Sequence, residues 1–169
     1  LPCVRIAGLP DTVRGVWSLW EICLAAEGST RKRFLPVFAS DDGRTYVPTA
    51  KRIWDLLLTE QVSVLGTSDV TDHQQWFVAS LNGAQSQGER VFAELLEDHR
   101  NRLEEERSRA QYAYEARYQA IGRIGLPAVR EHRRRRLEQE YRAQLAALDE
   151  AQANVPDLNA VMMLRVGVA

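Results

Sequence analysis

Apolar positions near the start of the chain gather into two dense runs of strand formers. Val16-Trp17-Ser18-Leu19-Trp20-Glu21-Ile22-Cys23-Leu24 is the first, and Arg31-Lys32-Arg33-Phe34-Leu35-Pro36-Val37-Phe38-Ala39 is the second. Glu27-Gly28-Ser29 between them is a turn signal, so the two runs read as a β-hairpin. Pro36 lacks an amide donor, which places the second strand at a sheet edge, and Asp41-Asp42-Gly43 closes it in a tight turn. Thr49 is the expected N-cap of a short helix, with Pro48 before it. Ile53, Trp54, Leu57 and Leu58 recur at helical spacing and make its apolar face. Gln61 to Leu65 is expected as a short strand, Gly66 to Thr71 as loop, and Trp76-Phe77-Val78 as an apolar segment docked on the core.

The pattern then changes period. From about Ala84 to Ile121 the chain has no proline, a single glycine at Gly88, and an abundance of Glu, Arg, Leu, Ala and Gln. Phe92, Leu96, His99, Leu103, Ala110 and Ile121 fall near a heptad seam, interrupted by Glu106 and Arg117. Such a helix would extend roughly 55 Å, more than a compact small domain needs. Gly122 and Gly125 break it, and Pro127 suits the first turn of a second helix running to about Ala153. Leu137, Tyr141, Leu145 and Leu148 form the seam of that helix. A short connection between two amphipathic helices predicts an antiparallel pair. Asn154 and Pro156 end it, and the last residues read as a strand that returns to the sheet. The expected fold class is α+β: a small antiparallel sheet with a short helix and a long inserted, coiled-coil-like helical hairpin. Residues 1–169 form a single domain in this reading, with 84–153 as the projecting hairpin and 157–169 as the closing strand.

Composition narrows the function classes. A length of 169 residues suits one ordinary domain or two small ones, and 45% apolar residues suffice for a core. With 22 basic residues against 23 acidic ones, the chain is neither a strongly basic nucleic-acid protein nor an acidic tail. No apolar run reaches the roughly 18 residues of a membrane helix, so no membrane partner is expected. Cys3 and Cys23 are too few for a disulfide scaffold or a four-cysteine zinc site. The chain begins at Leu1-Pro2 without a signal peptide, which reads as a piece of a longer cytoplasmic protein.

Catalytic signatures are few. His73, His99 and His132 have no His or Cys at ligand spacing, so no metal site is expected. Asp72-His73 has the residue types of half a catalytic pair, but no Gly-x-Ser-x-Gly motif accompanies it, and a surface loop histidine is the plainer reading. His99 reads as a packed seam residue. No phosphate-cradling glycine loop is present. The acidic runs Glu97-Asp98 and Glu104-Glu105-Glu106 lie among arginines and suit ion pairs four residues apart. The chain is therefore not expected to be an enzyme or to hold a cofactor.

The sharpest local feature is Arg133-Arg134-Arg135-Arg136, which with Arg130 and His132 makes a basic collar on the second long helix. Of the 22 cationic residues, 20 are arginine, a residue suited to bidentate contact with carboxylate or phosphate, although a biased genome composition gives the same excess. Consecutive arginines point to all sides of a helix, so some must face solvent. The candidate contact residues are Arg130, Arg133, Arg134, Arg135 and Arg136. They would meet nucleic-acid phosphates or an acidic protein surface, or else pair across the hairpin with Glu104, Glu105, Glu106 or Glu115. A turn near Gly125 sets Arg134 to Arg136 opposite about Glu115. Tyr112, Tyr114, Tyr118 and Tyr141 suit hairpin packing better than a base-stacking platform.

From Gln85 to Ala169 the chain resembles the carboxy-terminal region of RapA-type bacterial ATPases of the SWI/SNF helicase superfamily. The resemblance rests on a long Arg/Glu/Ala helix with a broken apex, a second helix of Leu-Glu-x-Glu type, and the closing segment Asp157-Leu158-Asn159-Ala160-Val161-Met162-Met163-Leu164-Arg165-Val166. Leu35-Pro36-Val37-Phe38, Asp42-Gly43 and Pro48 fit the sheet-and-helix part that precedes the hairpin in such proteins. The resemblance implies a non-catalytic accessory or regulatory domain of an ATP-driven translocase on double-stranded nucleic acid. The motor, with its ATP and Mg, would lie upstream of Leu1. The implied partners are that motor domain, DNA or RNA, and RNA polymerase or another protein. Two alternatives need no motor: a nucleic-acid-binding module built on the arginine-rich hairpin, and a stand-alone coiled-coil scaffold.

Overall fold

Strand formers at the start and end of the chain meet in one sheet. The structure, a computed structural model, describes residues 1–26, 29–59, 62–67 and 73–167. Its elements are β1 (Pro2–Ile6), β2 (Gly15–Ala26), β3 (Ser29–Ser40), α1 (Val47–Leu58), β4 (Val62–Thr67), α2 (His73–Gly122), α3 (Pro127–Gln152) and β5 (Asp157–Val166). The five strands are ordered β3-β2-β5-β1-β4, so the last strand is the central one. β5 runs antiparallel to β2 and parallel to β1, and β1 runs antiparallel to β4. The α+β class holds, and the sheet is mixed because β5 enters beside β1 in the same direction. β3 occupies the edge that Pro36 requires.

The chain divides into two compact units. The first comprises Leu1–Leu24, Arg31–Ala93 and Pro156–Ala169; the second comprises Ala25–Thr30 and Glu94–Val155. The long helix α2 begins at His73, eleven residues before the start expected from its helix-forming composition, and its first part belongs to the first unit. Trp76, Phe77 and Val78 are thus helical.

Alternation along β2 builds the first unit. Trp17 and Trp20 are three residues apart and therefore face opposite sides of the sheet. Trp17 stacks on Trp54 of α1 at 5.8 Å between centroids and donates its indole N–H to the Ala50 carbonyl at 3.0 Å. Around it pack Val4, Ile6, Leu19, Phe38, Ile53, Leu164 and Val166. On the other face Trp20 packs with Val37 and Ala84, and its ring meets Phe77. Its indole N–H reaches Ser18 Oγ at 2.9 Å and Ser80 Oγ at 3.0 Å, and the two hydroxyls bond each other. A helix can come this close to the sheet only where its residues are small. A Cβ on Gly83 would lie 2.9 Å from both Val37 Cγ1 and Thr45 Cγ2.

Three local expectations are corrected. The residue preceding α1 is Tyr46, which makes no side-chain cap, while Pro48 and Thr49 lie inside the first turn, where the fixed φ of proline suits a helix. Leu58 is exposed at the helix end rather than part of the apolar face. β4 continues through Gly66 and Thr67. The turn expected at Glu27-Gly28 and the loop residues from Ser68 to Thr71 lie outside the described residues, as does Gln61.

Two substitutions test this packing. Gly83→Val should cost about 1–3 kcal/mol through overpacking. Ser18→Ala with Ser80→Ala leaves the Trp20 N–H buried without an acceptor, at a cost of about 1–3 kcal/mol. Both should lower the urea midpoint with the slope of the transition unchanged.

Candidate interaction site at the helical hairpin

Within the second unit, residues 94–122 of α2 pair with α3 across the turn at Arg123–Leu126. Pro127 opens α3, where its missing amide costs nothing. Leu95, His99, Leu103 and Ala110 on one helix and Leu137 and Leu148 on the other are buried. His99 Nε2 lies 2.9 Å from the Ala151 carbonyl, to which it donates. Tyr114 stacks on Tyr141 at 4.5 Å, and Arg107 bonds Asp149. The seam is therefore satisfied inside one chain.

The register places the arginines. Arg134 lies opposite Tyr118, not Glu115, and its guanidinium sits 4.7 Å from the centre of that ring. Its Nε is closed off from solvent without a hydrogen-bond partner. Arg130 Nη1 donates to the Ile124 carbonyl at 3.3 Å and ties down the apex turn. These two point into the hairpin because positions 130, 134, 137, 141, 145 and 148 share one helical face. Arg133, Arg135 and Arg136 point outward. Arg135 pairs with Glu131 and Arg136 with Glu140, each four residues away on its own helix. Glu140 also receives Arg117 from α2 at 3.0 Å. Of the four cross-hairpin partners expected for the collar, three are engaged elsewhere: Glu105 pairs with Arg109, Glu106 with Arg102, and Glu115 accepts from Gln111.

The five candidates thus divide into two that hold the hairpin and three that face solvent. Two arginines complete the apex that sequence reasoning left out, Arg117 and Arg123. Arg117 lies on the other helix and meets the collar through Glu140, and Arg123 lies in the turn that joins the two helices. Residues 116–137 hold seven arginines against the single Glu131, whereas the remainder of the hairpin, 94–115 and 138–155, holds eleven carboxylates against five arginines. The hairpin is basic at its apex and acidic along its stem.

Other groups fit chemistry less well. Asp72 and the His73 side chain lie outside the described residues. Among the described residues no group of three or more His, Cys, Asp or Glu side chains is placed to hold a metal, and no helix is long and apolar enough to cross a membrane. In the first unit a groove of about 450 Å³ is lined by Arg14, Ser40, Asp41, Asp42 and Tyr46, among others. Its carboxylates are already held: Asp41 by Arg165 at 2.9 Å, and Asp42 by Ser40 and the Arg44 amide. Comparison of the chain with protein-family models, with curated proteins and with solved structures finds no match.

Hydrogen bonds from Arg136 and then Arg117 hold the Glu140 carboxyl below the usual glutamate range. A carboxyl lowered by folding contributes fully above its unfolded pKa and loses that contribution as pH falls through the lowered value. The gap between the urea midpoints at pH 7 and pH 3 should therefore narrow in Glu140→Gln.

Proposed function

We propose that this chain is a non-catalytic accessory domain of an ATP-dependent, helicase-like nucleic-acid translocase of RapA type, and that its hairpin docks a partner or regulates the motor. The observation that carries this reading is topological. The helices α2 and α3 are inserted between β4 and β5, and the closing strand returns to the middle of the sheet. That is the order of elements the resemblance implies. ATP and Mg then belong to a motor elsewhere in a longer cytoplasmic protein. The partner is that motor, its nucleic-acid track, or a protein such as RNA polymerase.

The coiled-coil scaffold is less well supported, because the apolar seam is covered by the partner helix of the same chain. Light scattering should accordingly give the mass of a single chain. For the translocase reading, the test is a longer protein in which a short linker replaces residues 94–155. Nucleic-acid-stimulated ATP hydrolysis should lose its coupling to translocation. Full coupling without the hairpin would overturn the reading.

A further inference from the structure

We infer that the apex of the hairpin is a binding site for the sugar–phosphate backbone of double-stranded nucleic acid, made by Arg117, Arg123, Arg133, Arg135 and Arg136. The inference rests on the reading of the hairpin as a docking element, and it does not depend on the motor that the hairpin would serve.

Three observations carry it. The first is charge. The apex has a net charge of one sign within about twenty residues, on a chain whose total is only -1. Arg123 and Arg133 are exposed and, among the described residues, have no ion-pair partner. Arg133 and Arg136 are three residues apart on one helix and so lie about 5–6 Å from each other at Cβ. Duplex nucleic acid presents one charge per about 1.7 Å of axis, so several phosphates fall within reach of such a row.

The second is exchangeability. Arg117, Arg135 and Arg136 have side chains 62%, 74% and 75% exposed, and their pairs with Glu140 and Glu131 stand in solvent. Exposed pairs of this kind contribute little, and a guanidinium can exchange a carboxylate for a bidentate phosphate contact.

The third selects the ligand form. Reading unpaired bases requires free aromatic faces. At the apex there is little of this: Tyr118 is 40% exposed but has Arg134 over its ring, and Tyr114 stacks on Tyr141. Tyr112 is exposed but belongs to the acidic stem. The apex therefore contacts backbone rather than bases, without sequence preference. The carboxylates of the stem repel a polyanion and confine the contact to the apex.

The experiment is a fluorescence titration of the chain with a 20-base-pair duplex at 50 and 200 mM salt. Four neutralised phosphates predict a loss of affinity of about a hundredfold between the two. Arg123→Glu with Arg133→Glu should weaken binding at least tenfold at 50 mM salt and flatten the salt dependence. Arg123→Lys with Arg133→Lys should retain binding, and Arg109→Glu on the stem should bind as the parent does. Circular dichroism checks that each variant keeps its helices. Salt-insensitive binding, equal loss in Arg109→Glu, or no loss in the double glutamate variant would overturn the proposal. So would tighter binding to phosphatidylserine vesicles than to duplex, which would make exposed Leu126 and Val129 the anchors of a membrane contact.

Discussion

Two indoles on one strand organise the first unit. Trp17 and Trp20 of β2 face opposite sides of the sheet, and each is too large to bury unless a helix covers it. Each also carries an N–H that must find an acceptor once water is excluded. Trp17 finds the Ala50 carbonyl of α1, and Trp20 finds the Ser18–Ser80 hydroxyl pair that joins β2 to α2. The hydrophobic requirement brings a helix to each face, and the hydrogen-bond requirement fixes which turn of that helix lies over the ring. Gly83, Ala84 and Gly88 follow from the second condition, since only small residues let α2 approach closely enough.

The hairpin obeys a different rule. Its apolar seam is thin and is completed by a hydrogen bond from His99 to a backbone carbonyl and by the stacking of Tyr114 on Tyr141. What distinguishes it is the division of charge between stem and apex. Arg130 holds the turn through the Ile124 carbonyl and Arg134 lies against Tyr118, while Arg133, Arg135 and Arg136 face solvent. A run of four arginines thus serves structure at its second position and leaves the other three for contact, because a helix turns about 100° at each residue.

Much of this was legible before the fold was known. The β-hairpin, the edge position of Pro36, the α+β class, the break at Gly122 to Pro127 and the closing strand all follow from local rules of period and turn chemistry. Where local rules failed, long-range geometry decided. α2 starts earlier than its composition suggests because Trp76-Phe77-Val78 reads only as an apolar segment docked on the core, and that segment docks as a helix, with Phe77 and Ser80 meeting Trp20. The parallel pairing of β5 with β1 joins residues more than 160 positions apart, beyond any local signal. At the apex, the arginine run was visible, but its partners were not. A shift in register of a few residues moved Arg134 from Glu115 to Tyr118 and brought Arg117 to Glu140.

The central claim is that guanidinium groups of the apex, and not those of the stem, meet phosphate. Arginine Nε–Hε resonances report on each guanidinium individually. Their assignment in the ¹⁵N-labelled chain, followed by addition of duplex, tests the claim most directly. The account predicts shifts at Arg117, Arg123, Arg133, Arg135 and Arg136, with Arg100, Arg107 and Arg109 of the stem unmoved. Shifts spread evenly along the hairpin, or confined to the stem, would contradict it.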